Sequence, residues 1–231
     1  MKPNIVDGVR MGMGRWWAAG TDRGDTVRLE AFSDGVLAIA ITLLILDVHV
    51  ETPAGTSLAA ALGHALPQIG AYAASFLQIG IMWANHHALF RVVDRVDPVL
   101  MLLNLALLGC VSFIPLPTRL VAEHTAGADA RTAMLLYGGT LTVIALVFNL
   151  IWWYLHREGL LVAGLTSGFV RDVDIRYLLG LAAYTCATLV ALVLPVLTVV
   201  IGVAVALMFV LGPSVRPTFV TAQGDTGGTA R

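Results

Sequence analysis

Four polar or charged residues stand at the head of the first long apolar segment of this chain. They are Arg28, Glu30, Ser33 and Asp34. The residues that follow, from Val36 to Leu46, are apolar apart from Thr42. Ionisable groups are costly inside an apolar helix, so they indicate an ion pathway, a proton relay or a buried polar network. For Arg28 and Glu30, a solvated position at the start of the helix is an equally good interpretation.

The helical positions of the apolar residues define a face of their own. At about 100° per residue, Ile39, Leu43 and Leu46 fall within about 60° of one another, whereas Asp34 lies about 140° from Ile39. If Asp34 packs inside the protomer, the stripe of Ile39, Leu43 and Leu46 is free to face another surface.

The elements that carry these residues must lie in a membrane. Of the 231 residues, 58% are hydrophobic and only 13% are charged, against about 45–50% and about 25% in an average soluble domain. This composition excludes a soluble enzyme, a disordered chain and a disulfide-stapled secreted domain. The net charge of -1 gives no basic excess, so nucleic acid is not expected as a partner. We find no catalytic or metal-binding motif with usable spacing, so we expect no catalytic residue, metal or cofactor.

Five apolar blocks are long enough to cross a bilayer. They span residues 29–48, 66–90, 99–116, 133–155 and 177–211. The last block would be roughly 52 Å long as one helix, against a bilayer core of about 30 Å, and Pro195 stands near its middle. We therefore predict a tight hairpin at Pro195 and six transmembrane helices in an all-α, polytopic protein. The alternative is one long kinked helix and five spans.

The basic residues give the orientation. With six spans, all 14 lysines and arginines except Arg119 and Arg131 fall on one side of the membrane. Positive charge concentrates on the cytoplasmic side, which places both termini in the cytoplasm. Five spans would move Arg216 and Arg231 outside. We predict flexible cytoplasmic ends at 1–27 and 213–231, and a transmembrane domain over 28–212.

In this orientation polar residues on several helices share the depth of Asp34, among them His86, His87 and Asn104. Polar groups away from water must satisfy one another. We therefore predict a network that joins Arg28, Ser33 and Asp34 to at least one of the two histidines. Adjacent helical residues point about 100° apart, so hydrogen bonding is favoured over a shared metal. Proton sensing is a further alternative for the histidines.

Three sequence segments resemble one family. The pattern Arg28-x-x-x-Phe32-Ser33-Asp34, continued by GVLAIAITLLIL, is similar to the signature of the transmembrane protein 175 family of potassium channels. The segments WANHH at 83–87 and LNLALLGCVSFIPLPT at 103–118 resemble the same family. The resemblance is close from residue 28 to 118, and beyond that it rests on hydropathy and span count.

The resemblance implies a bacterial potassium channel with a central pore lined by the first helix of each protomer. Ile39 would form the narrowest ring, Leu43 and Leu46 the next layers, and Thr42 would contribute to potassium preference. It further implies a homotetramer in the bacterial inner membrane, with lipid and K⁺ as its other partners. Residues of the FSD segment, Phe32, Ser33 and Asp34, would hold the first helix in place outside the pore.

The chain has no TVGYG filter sequence, so backbone carbonyls cannot strip the hydration shell in the usual way. A ring of Ile39 side chains is instead a hydrophobic constriction that gates by dewetting. Selectivity would then rest on partial dehydration and on Thr42, which predicts moderate potassium selectivity. Asp47 and Glu51 would form acidic rings at the outer mouth, or belong to a solvated loop.

Other classes of protein stay open at this point. A secondary ion or proton transporter would show paired repeats and broken helices near the midplane, and a proton-conducting leak pathway is a related alternative. A membrane enzyme would need a cluster of catalytic residues that faces an aqueous cavity. A structural assembly protein would not need the apolar stripe of Ile39, Leu43 and Leu46 beside the single threonine Thr42.

Overall fold

The computed structural model of the chain describes residues 23–211 and 217–219. Over this part of the chain the regular structure is helical, with isolated two-residue bridges between loops. The helices are α1 (Arg23–Leu43, continued by a 3-10 turn at Leu44–Asp47), α2 (Leu58–His64), α3 (Leu66–Phe90), α4 (Pro98–Ser112), α5 (Pro115–Glu123), α6 (Gly127–Arg157), α7 (Ser167–Val190) and α8 (Pro195–Leu211).

Four helical segments in the described residues are long and apolar enough to cross a membrane. They are Gly24–Asp47, Pro98–Glu123, Gly127–Arg157 and Ser167–Val190. Helix α3 has the length of a span, 25 residues, but its amides and histidines lower its hydropathy. Helix α8 is apolar and shorter, with 17 residues. The all-helical class is thus confirmed for the described residues.

Helix α1 lies at one edge of the bundle, against α3 and α4. Its buried residues Ser33, Leu37, Ala40 and Leu44 recur every three or four positions and form one face. Asp25 in the first turn favours the helix start, because carboxylates stabilise the positive end of the helix dipole. The helix begins at Arg23, so the predicted boundary between residues 27 and 28 falls inside it.

Proline sets the boundaries of the middle helices. The Asp97 carboxylate caps α4 by accepting from the Leu100 backbone N–H at 2.8 Å, and Pro98 occupies the first turn, where its missing N–H is harmless. The predicted third span, 99–116, is divided: α4 ends at Ser112, and α5 runs from Pro115 to Glu123. Pro115 causes the break, since its ring clashes with the preceding turn of helix.

The predicted hairpin at Pro195 is confirmed. Helix α7 ends at Val190 and α8 begins at Pro195. Thr198 Oγ1 donates to the Ala187 carbonyl at 3.1 Å, and farther along the pair the Arg176 guanidinium donates to the Phe209 carbonyl. The end of α7 thus contacts the beginning of α8, and the beginning of α7 contacts the end of α8. The two helices are therefore antiparallel, and the 177–211 block is not one kinked helix.

Three loop segments meet at one end of the bundle. The Asp94 N–H donates to the Leu160 carbonyl at 2.8 Å, and the Val162 N–H donates to the Val92 carbonyl at 2.9 Å. The Thr166 N–H in turn donates to the Thr218 carbonyl at 2.9 Å. The described residues 217–219 thus pair with the α6–α7 loop, although they belong to the tail that we predict to be flexible. Of the predicted flexible ends, residues 1–22, 213–216 and 220–231 lie outside the described residues.

Candidate functional site

The exposed face of α1 carries the predicted stripe. Ile39, Leu43 and Leu46 are 61%, 43% and 66% exposed in the single protomer. At about 100° per residue this stripe lies about 120° from the buried face. The contacts of α1 with α3 and α4 therefore leave Ile39, Leu43 and Leu46 free to meet another surface.

Thr42 lies beside the stripe and is exposed. Its Oγ1 donates to the Ile39 carbonyl at 2.9 Å, a bond within the same helix. Because the hydroxyl proton is used in this bond, the oxygen presents its lone pairs away from the helix. Such an oxygen is a neutral ligand for a cation or for the water of a hydrated cation.

Ser33 belongs to a chain of hydrogen bonds that ties three helices together. His86 Nε2 lies 2.8 Å from Asn104 Oδ1, Asn104 Nδ2 donates to Ser33 Oγ at 2.9 Å, and Ser33 Oγ donates to the Leu29 carbonyl at 2.8 Å. Ser33, His86 and Asn104 are fully buried. Since the amide oxygen can only accept, His86 Nε2 carries the proton in this bond.

Two further contacts hold the head of α1 on α3. Trp83 Nε1 donates to Asp34 Oδ1 at 2.9 Å, and His87 Nδ1 lies 2.7 Å from Glu30 Oε1. The rings of Trp83 and His87 stack at 6.1 Å. These pairs are partly exposed, so they add orientation more than stability.

Of the three residues predicted to join a histidine network, the structure connects only Ser33 to a histidine. Asp34 bonds Trp83 and not a histidine, while Ser33 reaches His86 through Asn104. The carboxylate partner of His87 is Glu30. Sequence reasoning missed the indole N–H as a donor, although a tryptophan one turn before His87 on the same helix face was the available signal.

Arg28 and Phe32 take positions different from those predicted. Arg28 is exposed, and its side chain has no hydrogen bond or ion pair within the described part of the chain. Phe32 is 55% exposed and lies on the same side of α1 as Ile39. Phe32 therefore does not hold α1 inside the protomer, since the interior face is already occupied by Ser33 and Leu37.

At the opposite end of α1, one hydrogen bond fixes the exit of the chain. The His49 backbone N–H donates to Gln68 Oε1 of α3 at 2.8 Å. Glu51 is exposed beyond this point, and Asp47 is half-buried. Among the described residues, no group of three or more histidine, cysteine, aspartate or glutamate side chains is placed to hold a metal ion.

Part of the chain matches a known family. Residues 28–115 match the family model described as endosomal/lysosomal potassium channel TMEM175. This range contains α1 from Arg28 onward, all of α3 and α4, and the hydrogen bonds described above between α1 and these helices.

Individual relatives extend the match toward the C-terminus. A potassium channel of Streptomyces collinus is 46% identical over 160 residues, which cover 68% of this chain and 78% of that protein. A potassium channel of Chamaesiphon minutus is 35% identical over 194 residues, which cover 82% of this chain and 96% of that protein. The crystal structure of a lysosomal potassium-selective channel TMEM175 homolog from Chamaesiphon minutus superposes with a TM-score of 0.73 at 34% identity, covering 82% of this chain and 98% of that one.

Proposed function

This chain belongs to the TMEM175 family, and we propose that it is a potassium channel whose pore is lined by α1. Two relatives named potassium channels and a potassium-selective structural neighbour support this function. The family is one of ion channels, so the chain is not an enzyme. Passive flux of K⁺ along such a pore needs no cofactor.

The pore assignment rests on the difference in burial between the two faces of α1. One face is buried on α3 and α4, and the other presents Ile39, Leu43 and Leu46 at the edge of the bundle. When several protomers bring these edges together, the stripes surround a common axis. Ile39 then forms a hydrophobic ring, which blocks ions when it is too narrow to hold water. Leu43 and Leu46 continue the constriction.

Thr42 is the proposed contributor to selectivity. Its hydroxyl oxygen is turned outward by the bond to the Ile39 carbonyl and can replace a water of a passing ion. Neutral hydroxyls bind cations more weakly than a ring of backbone carbonyls, so we expect moderate preference for K⁺ over Na⁺.

The proposed assembly is a homotetramer in the bacterial inner membrane. The protomer leaves one edge helix exposed, as a closed ring of copies around α1 requires. The relatives from Streptomyces and Chamaesiphon support a bacterial channel.

The proposed topology has six crossings, by α1, α3, α4 with α5, α6, α7 and α8, and both termini in the cytoplasm. The bonds that join the 92–94 loop, the 160–166 loop and residues 217–219 support it, because they require these segments to share one side. Six crossings place all three on the side that holds most of the basic residues.

A reversal potential tests the function. The purified protein is placed in planar bilayers with K⁺ on one side and Na⁺ on the other. We expect reversal displaced toward the potassium equilibrium potential. Reversal near zero would leave a non-selective channel, and coupled, saturable exchange would identify the secondary transporter. A current that follows the proton gradient would identify the proton leak, an alternative that the potassium-channel relatives do not favour.

The Ile39→Asn variant tests the constriction. A polar ring holds water more easily than an apolar one, so conductance should rise several-fold and gating should weaken. Ile45→Asn is the matched control, because Ile45 is an exposed isoleucine of the same segment that lies off the stripe. Equal currents in wild type and Ile39→Asn would remove Ile39 from the pore wall.

A further inference from the structure

A cavity inside each protomer lies apart from the α1 stripe. It is lined by α3, α6, α7 and the end of α8, on the far side of α3 from α1, and it is partly open to the surface of the bundle. Its walls are mostly apolar, with Met82, Ala145 and Phe148 among them. Its volume is about 40 Å³.

Polar groups collect at the end of this cavity that faces the 92–94 and 160–166 loops. Asn85, Asn149 and Tyr177 lie there, on three different helices. Within the described part of the chain, neither the Asn85 amide nor the Tyr177 hydroxyl forms a hydrogen bond. Asn149 uses its Nδ2 on the Ala145 and Tyr177 carbonyls, which leaves its oxygen to accept.

Near the opposite end of the cavity, one hydrogen bond links α3 to α7. Gln78 Nε2 donates to the Tyr184 hydroxyl, and Tyr184 lines the cavity. Because that oxygen accepts from Gln78, its own proton is still available to a further acceptor. The cavity thus has hydrogen-bonding groups at both ends and apolar side chains between them.

At this depth lipid tails cannot satisfy amides and hydroxyls, so each group needs an internal partner. A buried water needs roughly 10–15 Å³ and two to four polar partners. The cavity meets both conditions for a small cluster of waters. We propose that it is a water-binding site, filled from the cytoplasmic end by a few waters that bridge Asn85, Asn149 and Tyr177 and reach toward Tyr184.

Hydroxyl-radical footprinting by X-ray radiolysis tests this site on the purified oligomer in lipid nanodiscs. Radicals formed from bound water oxidise the side chains that touch it. We expect Tyr184 and Phe148 to be oxidised several-fold faster than Tyr137 and Phe90, which are also buried and do not line the cavity. Equal rates within each pair would overturn the proposal, as would a dry, uniformly slow pattern.

Filling the cavity provides the second arm. Ala145→Leu should lower the oxidation of Tyr184 and Phe148 to the rate of their controls. The matched variant Leu146→Ile, one residue on and outside the cavity, should leave both rates unchanged. If Ala145→Leu does not fold, Asn85→Leu replaces it, since it removes a polar partner with little change in volume. Oxidation that persists in both variants would show that the water lies elsewhere.

Discussion

The Asn104 side-chain amide links α1 to α3 and so fixes the position of α1. It accepts from His86 Nε2 and donates to Ser33 Oγ, and all three side chains are fully buried. The hydrogen bonds run in one direction, from His86 through Asn104 and Ser33 to the Leu29 carbonyl. A proton cannot be passed along such a chain without leaving an amide in an unfavourable form, so these three residues act as supports and not as a relay.

Replacement of Asn104 by leucine should destabilise the protein. It leaves His86 Nε2 without a partner and removes the donor to Ser33 Oγ, which keeps its bond to the Leu29 carbonyl. A buried polar group left without a partner costs about 1–3 kcal/mol. We expect a lower melting temperature of the detergent-solubilised oligomer in Asn104→Leu. Thr140→Val is the control, because Thr140 is exposed and bonds only its own helix. A melting temperature equal to that of the control would show that the network carries no stability.

A second residue-scale prediction concerns Thr42. Loss of its hydroxyl in Thr42→Ala should move the reversal potential under K⁺/Na⁺ gradients toward zero, because an oxygen ligand for the ion is removed. Thr42→Ser keeps the oxygen and should preserve the preference. Unchanged reversal in Thr42→Ala would assign selectivity to the apolar ring alone.

At the scale of elements, close helix packing depends on two glycines. A Cβ at Gly180 would lie 2.7 Å from Phe209 Cζ, and one at Gly138 would lie 2.7 Å from Thr188 Oγ1. The first contact brings α8 onto α7, and the second brings α6 onto α7. Apolar helices in a membrane gain little from the hydrophobic effect on pairing, so close approach of this kind supplies much of their attraction.

Gly180→Ala should therefore separate α7 from α8. Overpacking of this kind costs typically about 1–3 kcal/mol, and we expect a lower melting temperature with faster proteolysis of α8. Gly139→Ala is the matched control, since no atom lies within 4 Å of its added Cβ. Alanine there should leave stability unchanged or raise it by about 1 kcal/mol through helix propensity. Equal behaviour of the two variants would contradict the packing argument.

For the whole molecule, the protomer is a bundle with an incomplete edge. Helices α6, α7 and α8 all pack on one another. The main contacts of α1 are with α3 and α4. The bridges between the 92–94 and 160–162 loops hold the two halves together at one end. A protomer whose loops are joined at one end and whose α1 has one exposed face is suited to assembly around α1.

The topology can be tested in intact cells. Ala54→Cys and Glu158→Cys place thiols at exposed positions at the two ends of the bundle. A membrane-impermeant maleimide should label Ala54→Cys from outside and Glu158→Cys only after permeabilisation. Cys110 and Cys186 are replaced by alanine in both variants to remove background. Labelling of Glu158→Cys in intact cells would reverse the orientation.

Composition and hydropathy, read from the sequence, were sufficient to predict a helical membrane protein, and the boundaries predicted for α3 agree with the structure. The reason is that membrane insertion depends on long-range apolarity, which is a property of consecutive residues. The faces of α1 were also predictable, because helical periodicity fixes which residues share a side. The family followed from the local pattern at 28–34 and two further segments.

Pairings between helices were decided only by the tertiary structure. Histidine and indole donors of α3 lie at a depth similar to that of Asp34. The rotation of α3 about its axis decides that Trp83 is the donor. Phe32 lies outside because the inward face of α1 is filled by Ser33 and Leu37. The cavity behind α3 depends on residues from four helices at once. Sequence spacing fixes directions within one helix, whereas the rotation and depth of one helix against another come from packing of the whole bundle.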